Sequence, residues 1–184
     1  MMKTLLSTLL AVLLLCSLSF SQVPKLGVGG YGGMNIPIVQ DDQGNGTAFG
    51  ILARVSVLPF LIAEPNVMFG KWGDPGKIEG VDLGLEGSKI KSYGIDALLG
   101  AYPGRLGIKP YFVAGVASYK IENDDTHYEE TKLGWSAGLG IGFGVAPSFD
   151  LDLRGKLLVA PQEEGSKKAL TITGGLVYYL GIGL

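Results

Sequence analysis

Apolar and polar residues alternate along this chain with a period of two, in segments separated by polar or Gly/Pro-containing connections. The period is clearest over residues 149–160, where Phe149, Leu151, Leu153, Gly155, Leu157 and Val159 share one face of an extended strand. Asp150, Asp152, Arg154 and Lys156 share the other. Over 131–144 the apolar row is Leu133, Trp135, Ala137, Leu139, Ile141 and Phe143, opposite Gly134, Ser136, Gly138, Gly140, Gly142 and Gly144. Eight such segments can be drawn, at about 26–38, 47–58, 60–72, 89–102, 109–122, 131–144, 149–160 and 169–183. Residues 39–46, 73–88, 123–130 and 161–168 form longer polar connections, whereas Leu58–Phe60, Pro103–Ile108 and Val145–Ser148 are short. That long and short alternation predicts an all-β fold, an eight-stranded antiparallel up-and-down barrel.

The two rows of 131–144 decide which face lies inside. A water-facing surface gains nothing from five glycines and a serine, but a narrow lumen does. With the 145–148 turn as pivot, 142 faces 150, 140 faces 152, 138 faces 154 and 136 faces 156, so small residues stand opposite long charged ones. The lumen is therefore expected to hold Gly134, Ser136, Gly138, Gly140 and Gly142 as small residues around a structural polar network. Its members are Arg54, Glu64, Asp96, Asp150, Asp152, Arg154 and Lys156, with Lys120 and Glu122 nearer the outer mouth. A hairpin around Leu58–Phe60 sets Arg54 opposite Glu64, compensating two charges that would otherwise lose hydration unpaired. Phe49, Ile51, Ala53, Val55 and Val57 then point outward on the second strand, and Leu170, Ile172, Leu176, Tyr178 and Leu180 on the eighth. On the fifth, Tyr111, Val113, Ala117, Tyr119 and Ile121 are read as outward, with Phe112 and Val116 inward.

An apolar wall around a charged interior is built for lipid. Strands of about 12 residues, at roughly 3.3 Å per residue and a tilt near 40°, cover about 30 Å, enough for an outer-membrane apolar band. A closed sheet also pairs every backbone group internally, which hydrocarbon demands. The fold is thus expected to be a transmembrane barrel, with lipid as its surroundings. Tyr93, Tyr119 and Trp135 near one set of strand ends, and Tyr111, Phe143, Phe149 and Tyr178 near the other, would supply interfacial belts.

Composition adds bounds. The 184 residues, 47% hydrophobic and 17% charged, allow one domain. A formal charge of −2 excludes the broad basic surface that nucleic acid requires. Lys3, an apolar run from Leu5 to Cys16 and the small residues to Ser21 read as a signal peptide cleaved after Ser21, leaving 22–184 as the barrel domain. The run is too short to span a bilayer comfortably, and its removal takes away Cys16, the single cysteine. Gly27 to Gly32 fits GxGxxG formally, but no helix-compatible segment follows. Asp41, Gln43, Asn45 and Gly46 imitate part of a calcium loop whose twelfth position would be Leu52. No cofactor or metal is expected.

Taken together, the signal segment, the eight alternating stretches, the alternating connections and the apolar C-terminal row resemble the small eight-stranded outer-membrane β-barrel family of Gram-negative bacteria, over about 26–184. The resemblance implies assembly by the barrel insertion machinery, which reads the last strand. Leu176, Tyr178, Leu180, Ile182 and Leu184 hold the alternating positions, with Leu184 where the family usually ends in Phe. It further implies a non-enzymatic cell outer membrane protein with a largely plugged lumen, serving the envelope as a structural or surface-interaction element whose extracellular ligand is unspecified. Some barrels of this architecture process acyl chains, so an alternative joins Ser88 or Ser92 to His127, the single histidine. Another is a secreted lipocalin-like binder, with the Leu133, Trp135, Leu139 and Phe143 row lining a cavity.

Overall fold

A computed structural model describes residues 25–38, 44–73, 87–101, 105–123, 128–162 and 165–180. The expected signal peptide, Asp41, Asp42, His127, Ile182 and Leu184 lie outside the described residues. The strands are β1 (Leu26–Ile38), β2 (Gly44–Leu58), β3 (Leu61–Gly73), β4 (Lys89–Leu99), β5 (Gly107–Asn123), β6 (Tyr128–Ala146), β7 (Phe149–Gln162) and β8 (Gly165–Leu180). Each pairs antiparallel with the next, and β8 returns to β1 to close the barrel.

The alternation in β7 shows how the sequence sorts its faces. Leu151 and Leu153 are 44% and 51% exposed on the outer wall, while Asp152 and Arg154 are buried within it. The same sorting runs through β2, β4, β6 and β8, so large apolar side chains cover the outside and the lumen takes the charges. Phe49 and Phe69 stack at 5.7 Å on the outer face toward the long connections, and Phe149 meets Tyr178 at 5.0 Å toward the short turns. Pro65 sits on the outer face of β3, opposite Ile95 of β4.

One hydrogen-bonded row traces the whole wall: Leu26, Val55, Ala63, Ala97, Ala114, Ala137, Leu157 and Leu170, then Ile36. Every member is apolar and faces outward. The row starts at Leu26 and comes back to β1 at Ile36, a climb of ten residues toward the long-connection end. That shear tilts eight strands by about 40° to the barrel axis.

Three sequence expectations are corrected. First, β5 faces the other way: Tyr111, Val113, Ala117, Tyr119 and Ile121 are buried in the lumen, while Phe112 and Val116 are 67% and 52% exposed outside. The reason lies on the neighbouring strand. A Cβ at Gly140 would stand 2.2 Å from Cζ of Tyr111, and one at Gly134 would stand 2.8 Å from a ring carbon of Tyr119. Tyrosines of β5, as well as charges of β7, use the space that the β6 glycines leave.

Second, the β6–β7 register is two residues from the expected one: Gly144 faces Asp150, Gly142 Asp152, Gly140 Arg154, Gly138 Lys156 and Ser136 Leu158. β6 runs on to Ala146 through an irregularity after Gly144, leaving only Pro147 and Ser148 in the turn. A shift of two preserves the facing, so the inward rows are unchanged. Third, much of 161–168 is strand. Pro161 pairs with Ser166 and Gln162 with Gly165, because the β7–β8 ladder continues beyond the polar residues that read as a loop.

Gly138 offers a test of wall and lumen. An added Cβ there would lie 2.0 Å from the Gly155 carbonyl oxygen and 2.8 Å from Cα of Lys156, both rigid backbone. Overpacking of even one methyl typically costs about 1–3 kcal/mol. Gly138→Trp should therefore abolish the heat-modifiable folded band on cold electrophoresis after refolding in detergent, whereas Leu139→Trp, on the outer wall, should retain it.

Candidate functional site

The short-turn half of the lumen holds a continuous network of ionic side chains. It exists because β2, β3, β4, β5 and β7 each place inward-facing charged residues at neighbouring levels. Arg154 clamps Glu64 through two nitrogens, at 2.5 and 3.0 Å, the paired geometry that planar guanidinium and carboxylate favour. Its Nε donates to Asp152 at 3.0 Å. Arg54 donates to Glu64 at 2.7 Å, to Asp152 at 2.6 Å and to the Tyr179 hydroxyl at 3.3 Å. Tyr111 donates its hydroxyl to Asp152 at 2.9 Å, and its ring lies 5.9 and 5.8 Å from the guanidinium carbons of Arg54 and Arg154.

Two further pairs extend the network along the lumen. Toward the short turns, Lys109 donates to Asp150 at 2.6 Å. Toward the long connections, Lys156 donates to Asp96 at 2.6 Å, and Asn66 donates to the same carboxylate at 3.2 Å. Ser136 reaches its other oxygen at 3.5 Å. Arg54, Lys109, Arg154 and Lys156 thus meet Glu64, Asp96, Asp150 and Asp152, four cations against four anions. The chemistry available to such a set is mutual neutralisation. Among the described residues no group of three or more His, Cys, Asp and Glu is disposed to hold a metal.

Apolar side chains close over the charges. Met68, Trp72, Ile90, Tyr119, Ile121 and Leu158 pack together inside the long-connection half, and Ile62, Leu98, Tyr111 and Val113 line the short-turn half on one wall. Ser88 and Ser92 are buried among the first group, with Ser88 accepting a hydrogen bond from Asn123 at 3.4 Å. His127, their suggested partner, lies outside the described residues.

Arg54, Glu64, Asp96, Asp150, Asp152, Arg154 and Lys156 fall inside the lumen and join one network. The small residues Gly134, Ser136, Gly138, Gly140 and Gly142 occupy inward positions on β6, where Gly142 leaves space beside Lys109. Lys120 and Glu122 fall elsewhere, on the outer face at the rim, joined at 2.6 Å. Sequence reasoning missed Lys109, Tyr111, Tyr179 and Asn66. A signal was present: the seven expected charges comprise three cations and four anions, and electrical balance within the lumen needs a fourth cation. Lys109 supplies it, once the facing of β5 is reversed.

A family model described as the outer membrane protein beta-barrel domain matches residues 7–179. Among solved structures, Neisserial surface protein A is similar at TM-score 0.60 and 15% identity, over 84% of this chain and 96% of that one. The N-terminal β-barrel domain of Pseudomonas aeruginosa OprF gives TM-score 0.55 and 16% identity over 85% and 97% of the two chains. Ail, the attachment invasion locus protein of Yersinia pestis, gives 0.51 and 14% over 86% and 100%. At these identities the likeness establishes the fold. No curated protein matches the chain.

The Lys109–Asp150 pair isolates the cost of an unpaired lumen charge. Lys109→Met leaves the Asp150 carboxylate without its cation and should lower unfolding stability by about 3–5 kcal/mol. Lys109→Met combined with Asp150→Leu should recover most of that loss. Lys120→Met, at the exposed rim, should leave stability close to that of the wild type. Urea titration of the refolded barrel in detergent measures all three.

Proposed function

The chain belongs to the outer membrane protein beta-barrel domain family, and on that premise we propose a non-enzymatic envelope protein whose lumen is closed by its own ion pairs. The barrel sits in outer-membrane lipid after removal of residues 1–21 and insertion by the barrel assembly machinery. Its long connections point away from the cell and are the surface on which an external partner would act. Its short turns face the periplasm. The role is structural or surface-interacting, with no transported solute.

The observation that carries this reading is the balance of four lumen cations, three buried and Lys156 half-buried, with four buried anions, roofed by Trp72, Ile90, Tyr119 and Leu158. A conducting path needs hydrated charge facing continuous water, whereas these groups are directly paired and dehydrated. The apolar outer belt favours lipid over the lipocalin alternative, in which Leu139 and Leu153 would line a cavity. They are 60% and 51% exposed on the outer wall.

Two measurements test the proposal. The refolded wild-type chain in planar lipid bilayers should give no stepwise conductance, and a steady unitary current would overturn the plugged lumen. In intact cells, Asp42→Cys and Asp125→Cys should both react with a membrane-impermeant maleimide. Protection of both would overturn the outward direction of the long connections.

A further inference from the structure

The shear brings outward lysines of different strands to one height on the wall. At a tilt near 40°, each residue along a strand adds roughly 2.5 Å of height, and each step to the next strand along a hydrogen-bonded row adds roughly 3 Å. The register then sets Lys91 of β4, Lys71 of β3, Lys168 of β8 and Lys120 of β5 at roughly 24–27 Å above Leu26. Below that ring, none of the described outward positions on the strands is charged. Outward aromatics other than Phe112 fall at two levels beneath it. Phe49, Phe69, Tyr93 and Trp135 lie at roughly 18–21 Å, and Phe143, Phe149 and Tyr178 within roughly 2 Å of the level of Leu26.

The apolar wall does not stop at the lower aromatic level. Leu180, Val145 and Leu106 continue it by roughly 3–8 Å, onto the short turns. Leu106 and Val145 are 61% and 59% exposed, and Phe60, in the β2–β3 turn, is 48% exposed. From the lysine ring to these tips the uncharged wall is roughly 30 Å tall, against about 25 Å for the apolar band of an outer-membrane barrel. The excess, roughly 5 Å, is about the depth of one headgroup layer. The backbone of these turns suits such surroundings. Gly100 donates to the Phe60 carbonyl at 2.8 Å and Tyr179 to the Ser148 carbonyl at 2.8 Å, so neighbouring hairpins satisfy each other's turn groups. Among the described residues, the charges at this end beyond the lumen network are Lys25 and Arg105, whose long stems let the head reach water from an apolar setting.

We propose that the short-turn end is itself a lipid-binding surface, with Phe60, Leu106 and Val145 seated among the headgroups and first acyl carbons of the inner leaflet. The occupant is lipid because this apolar patch continues the outer wall without a polar boundary between them. A patch kept for a protein partner is typically rimmed by polar residues. The barrel thus sits low in the bilayer, with its lysine ring at the outer boundary and its turns embedded at the inner one. The inference rests on the proposed membrane reading, with lipid around the outer wall and the short turns at the inner leaflet.

Depth measurements in phosphatidylcholine nanodiscs, whose two faces are both open to aqueous iodide, provide the test. Single-cysteine variants in a Cys16→Ser background carry a nitrobenzoxadiazole label. Labels at Phe60→Cys, Leu106→Cys and Val145→Cys should be quenched by iodide severalfold less than a label at Glu129→Cys, above the lysine ring. A nitroxide on the upper carbons of the lipid chain should quench these turn labels more strongly than one near the chain end, with the reverse order at Leu139→Cys, in mid-wall. In the unlabelled wild type, nuclear Overhauser contacts from the Phe60 ring should reach the lipid glycerol and upper-chain protons. Turn labels as open to iodide as Glu129→Cys, or Phe60 contacts to water alone, overturn this proposal, and with Leu139→Cys shielded they leave the membrane reading standing. Iodide access at Leu139→Cys as well sinks both. Turn labels shielded from iodide and from both nitroxides would mean cover by a second copy of the chain, which also overturns lipid as the occupant.

Discussion

Among the described residues, eight charged side chains join in one network inside a wall one sheet thick, and each finds its countercharge among the other seven. This mutual dependence constrains the rest of the structure. An unpaired carboxylate or guanidinium in a space this narrow would lose hydration with nothing to replace it. The strands must therefore present their charges at matching levels, and small residues must stand where guanidinium groups and tyrosine rings cross the lumen. The Arg154–Glu64 clamp and the Tyr111 ring beside both arginines show how tightly the centre is used. Glycine on β6 is one condition for that packing, since a methyl at Gly140 would overlap the Tyr111 ring.

Much of this was legible from the chain because a two-residue period leaves few choices. Once the Gly-rich row of 131–144 is turned inward, its apolar row must face outward, and the same parity places Asp152 and Arg154 in the lumen. The Arg54–Glu64 contact followed from a single tight hairpin, whose register varies little. β5 was illegible for a physical reason. Both of its rows are apolar or aromatic, so neither hydrophobicity nor alternation distinguishes Tyr111 from Phe112, and only the space over Gly134 and Gly140 decides between them. The two-residue register error between β6 and β7 has a similar origin. A bulge beside Gly144 adds no side-chain signal, yet it moves every pairing beyond it.

The lumen is layered along its axis. Charges fill the short-turn half and the middle, while Trp72, Ile90, Ile121 and Leu158 form a dry layer toward the long connections. In a water-soluble protein these two layers would trade places with the outer wall. Here the bilayer solvates the outside, so the interior can be spent on polar contacts and still leave a folded chain, because the backbone ladder is complete around the circumference.

Sequence distance within the network has a consequence for how the barrel is made. Arg54 and Glu64 are ten residues apart, but Arg54 reaches Asp152 across 98 residues and Tyr179 across 125. A nascent sheet of β1 to β6 contains Arg54 and Glu64 but lacks Asp152, Arg154, Lys156 and Tyr179 altogether. Such a partial sheet leaves Asp96 and Lys109 without Lys156 and Asp150, their partners in the closed barrel. The last two strands thus complete the ionic network in the same step that joins the sheet to itself.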